Sequence, residues 1–341
     1  MYISVILAGG SGKRLWPIST DSKPKHLVKI FDKTLFEESV VRSIRISEKI
    51  IVLTNISQKN VIEKYLNRIK AKNNVKISEI FEPCSRNTAP AIMLASMFIE
   101  RLYGKSNILV MPSDHKIETE KFIENVLIAE ELCDQGYLVT FGIEPLSPET
   151  GYGYIEIGEC LKNNKIFKVK KFIEKPSYEK SVAFIETKKY LWNSGIFAFN
   201  TQTIIEEFKK NAPDIYNTIS KIKSKRDIKK FYPQVRDISI DYAVMEKSKK
   251  VCVVKSDFEW SDLGTFDSIS KLLEKDERGN SKIGKGVFID SDNSFIISNM
   301  KIPVVVLGLK EVAVGVSNEG IILLDMKRTQ DVKNVYKFLQ K

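Results

Sequence analysis

The sequence predicts an α/β protein. A mixed, mostly parallel sheet covered by helices forms the larger first part, and a small β-rich domain of the β-solenoid or sandwich kind follows it. Three observations carry this. Apolar strand-like runs alternate with helically periodic segments through roughly the first 140 residues, the pattern of a sheet covered on both faces. Beyond about position 280, short β-rich runs recur at roughly ten-residue spacing with no long helix between them. The chain is 341 residues long, 43% hydrophobic and 28% charged, which is ordinary globular composition and long for a single domain.

The elements justify this in order. Positions 2–7, 49–54, 75–81, 107–111 and 137–142 are short apolar runs bounded by polar residues, and read as buried strands. Between them, 57–70 places Val61, Ile62, Tyr65, Leu66 and Ile69 at helical spacing, and 88–102 and 120–133 behave alike. The middle is less regular. It has strand-like pieces at 153–157, 165–174 and 195–200, helical stretches at 201–211 and 241–247, and a lysine-rich stretch, 221–230, that reads as a solvated helix face. Then come β-rich runs at 286–289, 294–297, 303–307, 312–316 and 321–324. A last helix over 329–340 presents Val332, Val335, Tyr336 and Leu339 on one face. The polar stretch 274–282 marks the expected boundary region, and the domains are set at 1–268 and 269–341.

Composition narrows the function. Lys and Arg number 54 against 43 Asp and Glu, a net charge of +11. That suits a polyanion, but scattered lysine pairs and the solvated stretch 221–230 account for much of it, and no aromatics interleave with the basic residues as on a nucleic-acid platform; small phosphorylated substrates fit the sign of the charge equally well. Cys84, Cys133, Cys160 and Cys252 form no Cys-x-x-Cys pair, and His26 and His115 are the only histidines. A zinc site and histidine-based nucleophilic catalysis are therefore disfavoured. No apolar run approaches the ~18 residues of a membrane span, and the N-terminus carries no basic leader, so a cytoplasmic protein is expected.

The chemistry should lie in loops beyond the carboxyl ends of the strands. The first such loop reads Leu7-Ala8-Gly9-Gly10-Ser11-Gly12-Lys13-Arg14-Leu15. Its glycines let backbone N–H groups approach a phosphate, but its spacing is neither a Walker A loop nor a Gly-x-Gly-x-x-Gly fingerprint. Lys13, Arg14, Lys23 and Lys25 follow closely; a polyphosphate cradle and a solvated loop both account for them. Asp114, in Met111-Pro112-Ser113-Asp114-His115, and Asp262, in Trp260-Ser261-Asp262-Leu263-Gly264, are candidate ligands for one Mg²⁺. Each alone would serve equally as a turn or helix cap. Further segments are 82–90 with Arg86 and Asn87, 172–176 with Glu174 and Lys175, and 191–197 with Asn193 and Ser194. All three tryptophans, Trp16, Trp192 and Trp260, fall in or beside these segments.

In this order the segments LAGGSGKRLWPIS, KPKH, EPCSRNTAPAI, MPSDH, GYGYIE, FIEKP, WNSGIFAF, SIDYAVME and WSDLGTF resemble the sugar-nucleotidyltransferases, and specifically the mannose-1-phosphate guanylyltransferase family. SDNSFI and RTQDVKNV extend the resemblance into the C-terminal part. It implies a Rossmann-like (GT-A-like) nucleotidyltransferase domain and a left-handed β-helix-like C-terminal domain. Leu7, Ala8, Gly9, Gly10, Gly12 and Lys13, with Arg86 and Asn87, would hold the nucleotide. Arg14 and Lys25 would neutralise phosphates, and Asp114 and Asp262 would hold Mg²⁺. Gly153, Glu174, Lys175, Asn193 and Ser194 would bind the sugar phosphate.

The implied reaction joins GTP and mannose 1-phosphate into GDP-mannose and pyrophosphate, in a homodimeric enzyme. Within the family, another sugar 1-phosphate, a manno-heptose or glucose, is the alternative; outside it, a non-catalytic nucleotide-sensing subunit. The family usually has Gln at His26 and often Trp at Phe266, and both positions are expected beside the site. Fused members carry a phosphomannose isomerase half. The sequence stops at Lys341, so no isomerase activity is expected.

Overall fold

The computed structural model describes residues 1–10, 12–73 and 75–339, without the side chains of Tyr336 and Lys337. Ser11 of the glycine loop, Tyr336 of the expected last apolar face and position 340 of that helix thus lie outside the described residues. In chain order the strands of the first part are β1 (Tyr2–Ala8), β2 (Lys49–Asn55), β3 (Lys76–Glu82), β4 (Asn107–Pro112), the two-residue β5 (Lys116–Ile117), β6 (Leu138–Ile143), β7 (Gly153–Lys162), β8 (Ile166–Glu174), β9 (Tyr190–Asn200), β10 (Val251–Ser256) and the two-residue β11 (Trp260–Ser261). Among them run α1 (Leu35–Ile44), α2 (Lys59–Lys70), α3 (Thr88–Tyr103), α4 (Thr119–Asp134), α5 (Tyr178–Thr187), α6 (Thr201–Asn211), α7 (Pro213–Ile219) and α8 (Lys225–Phe231). The C-terminal part holds α9 (Phe266–Ser270), β12 (Ser281–Ile283), β13 (Gly286–Ile289), β14 (Phe295–Ser298), β15 (Val304–Leu307), β16 (Val312–Ser317), β17 (Gly320–Asp325) and α10 (Val332–Leu339).

Two compact units form, and they interleave along the chain. The first is Met1–Gly9, Ser39–Ser113 and Ile117–Trp260; the second is Gly10–Glu38, Asp114–Lys116 and Ser261–Lys341. The expected division at 268/269 is a cut in sequence, whereas these units are set by packing.

The first unit is a nine-stranded sheet in the order β3-β2-β1-β4-β9-β6-β10-β8-β7. Strands β3, β2, β1 and β4 pair in parallel, as do β6 and β10, while β9 runs antiparallel to both β4 and β6. Side chains alternate across the sheet, and each face has its own core. Ile3, Val5, Ile108 and Val110 pack with α3, α6 and α7; Tyr2, Leu109 and Met111 pack with Phe122, Val126 and Ala129 of α4. Because β9 runs backwards, its first residues lie at the edge where the parallel strands end. Asn193 and Trp192 stand opposite Gly142 and Ile143 at the end of β6.

In the second unit, β12, β14 and β16 pair in parallel, β13 pairs in parallel with β15, and β17 closes antiparallel on β16. Phe295 of β14 faces Ala313 and Gly286 of β13 faces Val304, whereas Ser281 of β12 faces Phe295 after a shorter step along the chain. Leu15, Ile18, Val28 and Leu35 share one core with Leu263, Phe266, Phe295, Ala313 and Val332. Residues from the glycine loop onward are thereby built into the same core as the C-terminal strands.

Some elements differ from the sequence reading. The lysine-rich stretch is helical only from Lys225, where Ser224 and Asp227 form a capping box. Strand β9 starts at Tyr190, five residues before its expected start at 195. The stretch from Asp241 is a single π-helical turn, Asp241–Met245. The segment before α10 is a kinked 3₁₀ run, Met326–Asp331, so that helix begins at Val332.

Candidate active site

Two clusters gather the expected residues, each inside one unit. In the second unit the chain leaves Gly10 and forms a 3₁₀ turn at Lys13–Leu15. Gly12 adopts φ 67°, and a Cβ there would sit 2.5 Å from the Lys25 Cβ. Only glycine allows both that backbone and that approach. The Ser19 hydroxyl donates to the Gly12 carbonyl at 2.6 Å and closes the turn.

Lys25 begins a second 3₁₀ turn and is 5% exposed. Its ammonium donates to Asp114 Oδ2 at 2.6 Å and also to the Asp262 main-chain carbonyl. One cation thus ties together the two aspartates expected at the metal. The Asp262 side chain accepts from Gly264 N–H at 2.9 Å through Oδ1 and faces the Arg14 guanidinium at 3.7 Å through Oδ2. Burial alone would raise the Asp114 carboxyl; the Lys25 ammonium, and after it His115, outweigh burial and hold it at about 2. Asp114 is therefore ionised throughout the neutral range. Lys25, expected on substrate phosphates, is the counter-ion of Asp114 in this structure. Arg14 is one-third exposed, far more than Lys25. Lys13 lies apart, its ammonium 3.9 Å from Asp21.

Among the described residues, no group of three or more His, Cys, Asp or Glu side chains could hold a metal ion. Two aspartates fit Mg²⁺ nonetheless, since that ion keeps several waters and is held by one or two carboxylates plus substrate phosphates.

In the first unit, Gly153 opens β7 and stands opposite Glu174 on β8 and Asn193 on β9. Three residues expected at the sugar phosphate thus share one register position at the end of the sheet. A Cβ on Gly153 would sit 2.5 Å from Glu174 Oε2, so the carboxylate occupies the space that glycine leaves. Lys175 follows with φ 49°, its main-chain N–H donating to the Tyr152 carbonyl at 3.2 Å and its exposed ammonium paired with Glu174. Asn193 is held on both sides. Its Oδ1 accepts from Thr140 Oγ1 at 3.1 Å, and its amide donates to Asp241 Oδ1 at 2.8 Å.

Asp241 is the member of this cluster that sequence reasoning missed. Its only signal was the segment SIDYAVME, which carried resemblance but no assigned role. Burial, reinforced by the neighbouring Glu174 carboxylate, raises its carboxyl to about 6. Between the ordinary value of 3.8 and about 6, the folded chain binds a proton that the unfolded chain has released. Stability therefore falls as pH rises through that window and is lowest above it. Asp241→Asn is expected to gain stability over the parent as pH rises from 4 to 7, by about 2 kcal/mol. Denaturant midpoints at both pH values check this, and an equal parent–variant difference at each would refute it.

The other expected residues are placed as follows. Ser194 is wholly buried and its hydroxyl accepts from Ile196 N–H at 3.3 Å. Strand alternation turns it away from the face that Asn193 presents. Asn87, at φ 64°, caps α3 by accepting from Thr88 N–H at 2.9 Å, and Arg86 donates to the Pro233 carbonyl. Leu7 and Ala8 belong to β1, where the Leu7 carbonyl accepts from Ser113 N–H at 3.1 Å; Gly9 and Gly10 are exposed. Phe266, expected beside the site, is fully buried in the core of the second unit against Phe295. His26 is fully buried too, its ring centroid 6.2 Å from that of Phe36. Trp192 is 6% exposed, and Tyr152 meets both Trp192 and Trp260 edge-on at 5.1 Å.

The Nucleotidyl transferase family model matches residues 3–279. Mannose-1-phosphate guanylyltransferase of Klebsiella pneumoniae is 34% identical over 357 aligned positions, covering 100% of this chain and 74% of that protein. Alginate biosynthesis protein AlgA of Pseudomonas putida is 34% identical, covering 99% and 72%. Among solved structures, one titled mannose-1-phosphate geranyltransferase, from Thermus thermophilus, superposes with a TM-score of 0.90 at 28% identity, covering 100% of this chain and 99% of that one. No helix among the described residues is long and apolar enough to cross a membrane. The Rossmann-like α/β sheet, the residues gathered at its ends and this likeness along the whole chain agree: the chain belongs to the nucleotidyl transferase family, among the mannose-1-phosphate guanylyltransferases.

Proposed function

We propose that the protein makes GDP-mannose and pyrophosphate from GTP and α-D-mannose 1-phosphate. The observation that carries this is the Lys25 ammonium tying the Asp114 carboxylate to the Asp262 main chain, with Arg14 facing the Asp262 side chain. In the reaction a phosphate oxygen of the sugar phosphate attacks the α-phosphorus of GTP in line, and pyrophosphate leaves. The nucleophile is already an anion, so no general base is needed, in keeping with a chain that has two histidines. The obstacle is repulsion between two polyanions, about 4 kcal/mol for each pair of like charges ~4 Å apart near a protein surface.

This chain's residues meet that obstacle in two places. Arg14 contacts the nucleotide phosphates and stabilises charge on the departing pyrophosphate. Lys25 keeps Asp114 ionised and aimed. Asp114 and Asp262 would hold Mg²⁺, which when bound supplies further neutralisation of the phosphate charge. In the other cluster, Glu174 and Asn193 accept and donate hydrogen bonds to sugar hydroxyls, and the exposed Lys175 ammonium meets the sugar phosphate. The parallel pairing of β12 with β14, β14 with β16 and β13 with β15 supports a β-solenoid there.

Pyrophosphate release with GTP against a panel of mannose, glucose and manno-heptose 1-phosphates tests the reading. The highest kcat/KM is expected for mannose 1-phosphate. Preference for another sugar moves the specificity, and no pyrophosphate with any sugar removes the activity. Lys175→Ala is expected to raise KM for the sugar phosphate about tenfold, with a smaller change in KM for GTP. An unchanged KM for the sugar phosphate would take Lys175 out of that role.

A further inference from the structure

Arg14 has a partner far along the chain. Its Nη1 donates to Gln330 Oε1 at 3.1 Å, while its other contact, to Asp262 Oδ2, is a looser 3.7 Å. Gln330 sits in the 3₁₀ run Met326–Asp331, which is itself tied down. The Asp325 carboxylate accepts from Lys327 N–H at 2.7 Å at its start, Thr329 is 5% exposed, and Arg328 pairs with Asp331 at 2.9 Å. On either side of the contact, Leu15 and Val332 are buried in the same core. The Ser317 hydroxyl also donates to the Pro17 carbonyl at 2.6 Å. The turn bearing Arg14 and the segment bearing Gln330 are thus held against each other by packing in one core. The Arg14–Gln330 bond completes that arrangement at the guanidinium.

We propose that Gln330 is a positioning residue for the reaction: it aims the Arg14 guanidinium at the nucleotide phosphates. The inference rests on the reading of Arg14 as a nucleotide-phosphate contact. Its physical core is that the acceptor is neutral. Arginine presents five donors in a fixed fork, so one hydrogen bond at Nη1 orients the plane and leaves the remaining donors for phosphate. A carboxylate in the same place would orient the guanidinium too, but would neutralise it and compete with the phosphates. Asp262, the other partner, is committed in the proposed reaction to the cation. Gln330 is then the contact that keeps Arg14 in place without consuming its charge.

The test uses the full chain with Gln330→Ala, Gln330→Glu, Arg14→Ala and the double variant Arg14→Ala/Gln330→Ala. Steady-state kinetics for each substrate, titration with a fluorescent GTP analogue and thermal midpoints are read together. Gln330→Ala is expected to raise KM for GTP and weaken analogue binding about tenfold, leaving KM for mannose 1-phosphate within about twofold. Gln330→Glu keeps the geometry and the thermal midpoint, yet weakens nucleotide binding at least as much, because the guanidinium is then paired. In the Arg14→Ala background, Gln330→Ala should add nothing further. A thermal shift with unchanged nucleotide binding, or an equal loss with and without Arg14, would overturn the proposal. If Arg14→Ala itself leaves GTP kinetics and binding unchanged, the reading of Arg14 fails and takes the inference with it. If Arg14→Ala is damaging and both Gln330 variants are silent, only the role of Gln330 fails.

Discussion

Asp262→Ala is expected to lower turnover of GTP with mannose 1-phosphate by about 10³-fold, while the protein stays folded. The carboxylate is the group that two cationic partners address: Arg14 in this structure and Mg²⁺ in the proposed reaction. Its removal takes a negative charge from the place where phosphates must be brought in through a cation, so the loss falls on the transition state. The fold has less at stake. Asp262 contributes its main-chain carbonyl to Lys25, which alanine retains, and the variant loses the side-chain bond to Gly264 N–H and the looser, partly exposed pairing with Arg14. The bond costs about 1 kcal/mol and a partly exposed ion pair less. Circular dichroism and a thermal midpoint near the parent's, together with pyrophosphate release at saturating Mg²⁺, check both halves. Near-parent turnover at ordinary Mg²⁺ would take Asp262 out of the metal site.

Lys25→Met is expected to be the more damaging variant, because it strikes activity and stability together. The ammonium is 5% exposed and is the principal charge that holds the Asp114 carboxyl at about 2. Without it a largely desolvated carboxylate loses its counter-ion, which costs on the order of 3 kcal/mol when a buried pair is broken. A depressed carboxyl of this kind adds stability above its unfolded pKa, and that stability is lost as pH falls toward about 2. The variant should therefore lose most relative to the parent at neutral pH and converge with it in acid. Adding Asp114→Asn to Lys25→Met removes the stranded charge and should restore part of the stability without restoring activity. Denaturant unfolding of the two single variants and the double variant measures the coupling. Additive losses would show that Lys25 and Asp114 do not act as a pair.

Much of the first unit was legible because its signals are local. Strands β1, β2, β4 and β6 are continuous apolar runs bounded by polar residues, and their expected ends fall within one or two residues of the observed ones. Helix α6 begins and ends where its periodicity says, with Asn200 capping it. Helix α5 has Tyr178, Val182 and Ile185 at helical spacing, but only Ser181 of its residues is buried, so burial gives it little weight. The start of β9 escaped notice because Asn193 and Ser194 interrupt its apolar pattern, and they do so where the strand reaches the end of the sheet. The orientation of Ser194 is not legible for the complementary reason. Adjacent strand residues face opposite ways, and which of the two faces the site depends on pairing with β6 and β7.

The candidate site divides along the same line. The glycine loop, Arg14, Asp114, Glu174 and Asn193 stood out from residue type and from their places after apolar runs. Their partners did not. Lys25 and Asp262 are 237 positions apart, and Arg14 and Gln330 are 316 apart. Nothing in either local pattern announces the other.

By itself the sequence determined the α/β class, the ends of most strands of the sheet and the chemical types that line its loops. These follow from hydrophobic periodicity and turn chemistry, which act over a few neighbouring residues. Only the tertiary structure decided that Lys25 serves Asp114, that Asp241 stands behind Asn193 and that Gln330 reaches Arg14. Those contacts arise when distant segments are packed into common cores, where the choice of partner depends on shape and charge in three dimensions and leaves no periodic trace along the chain.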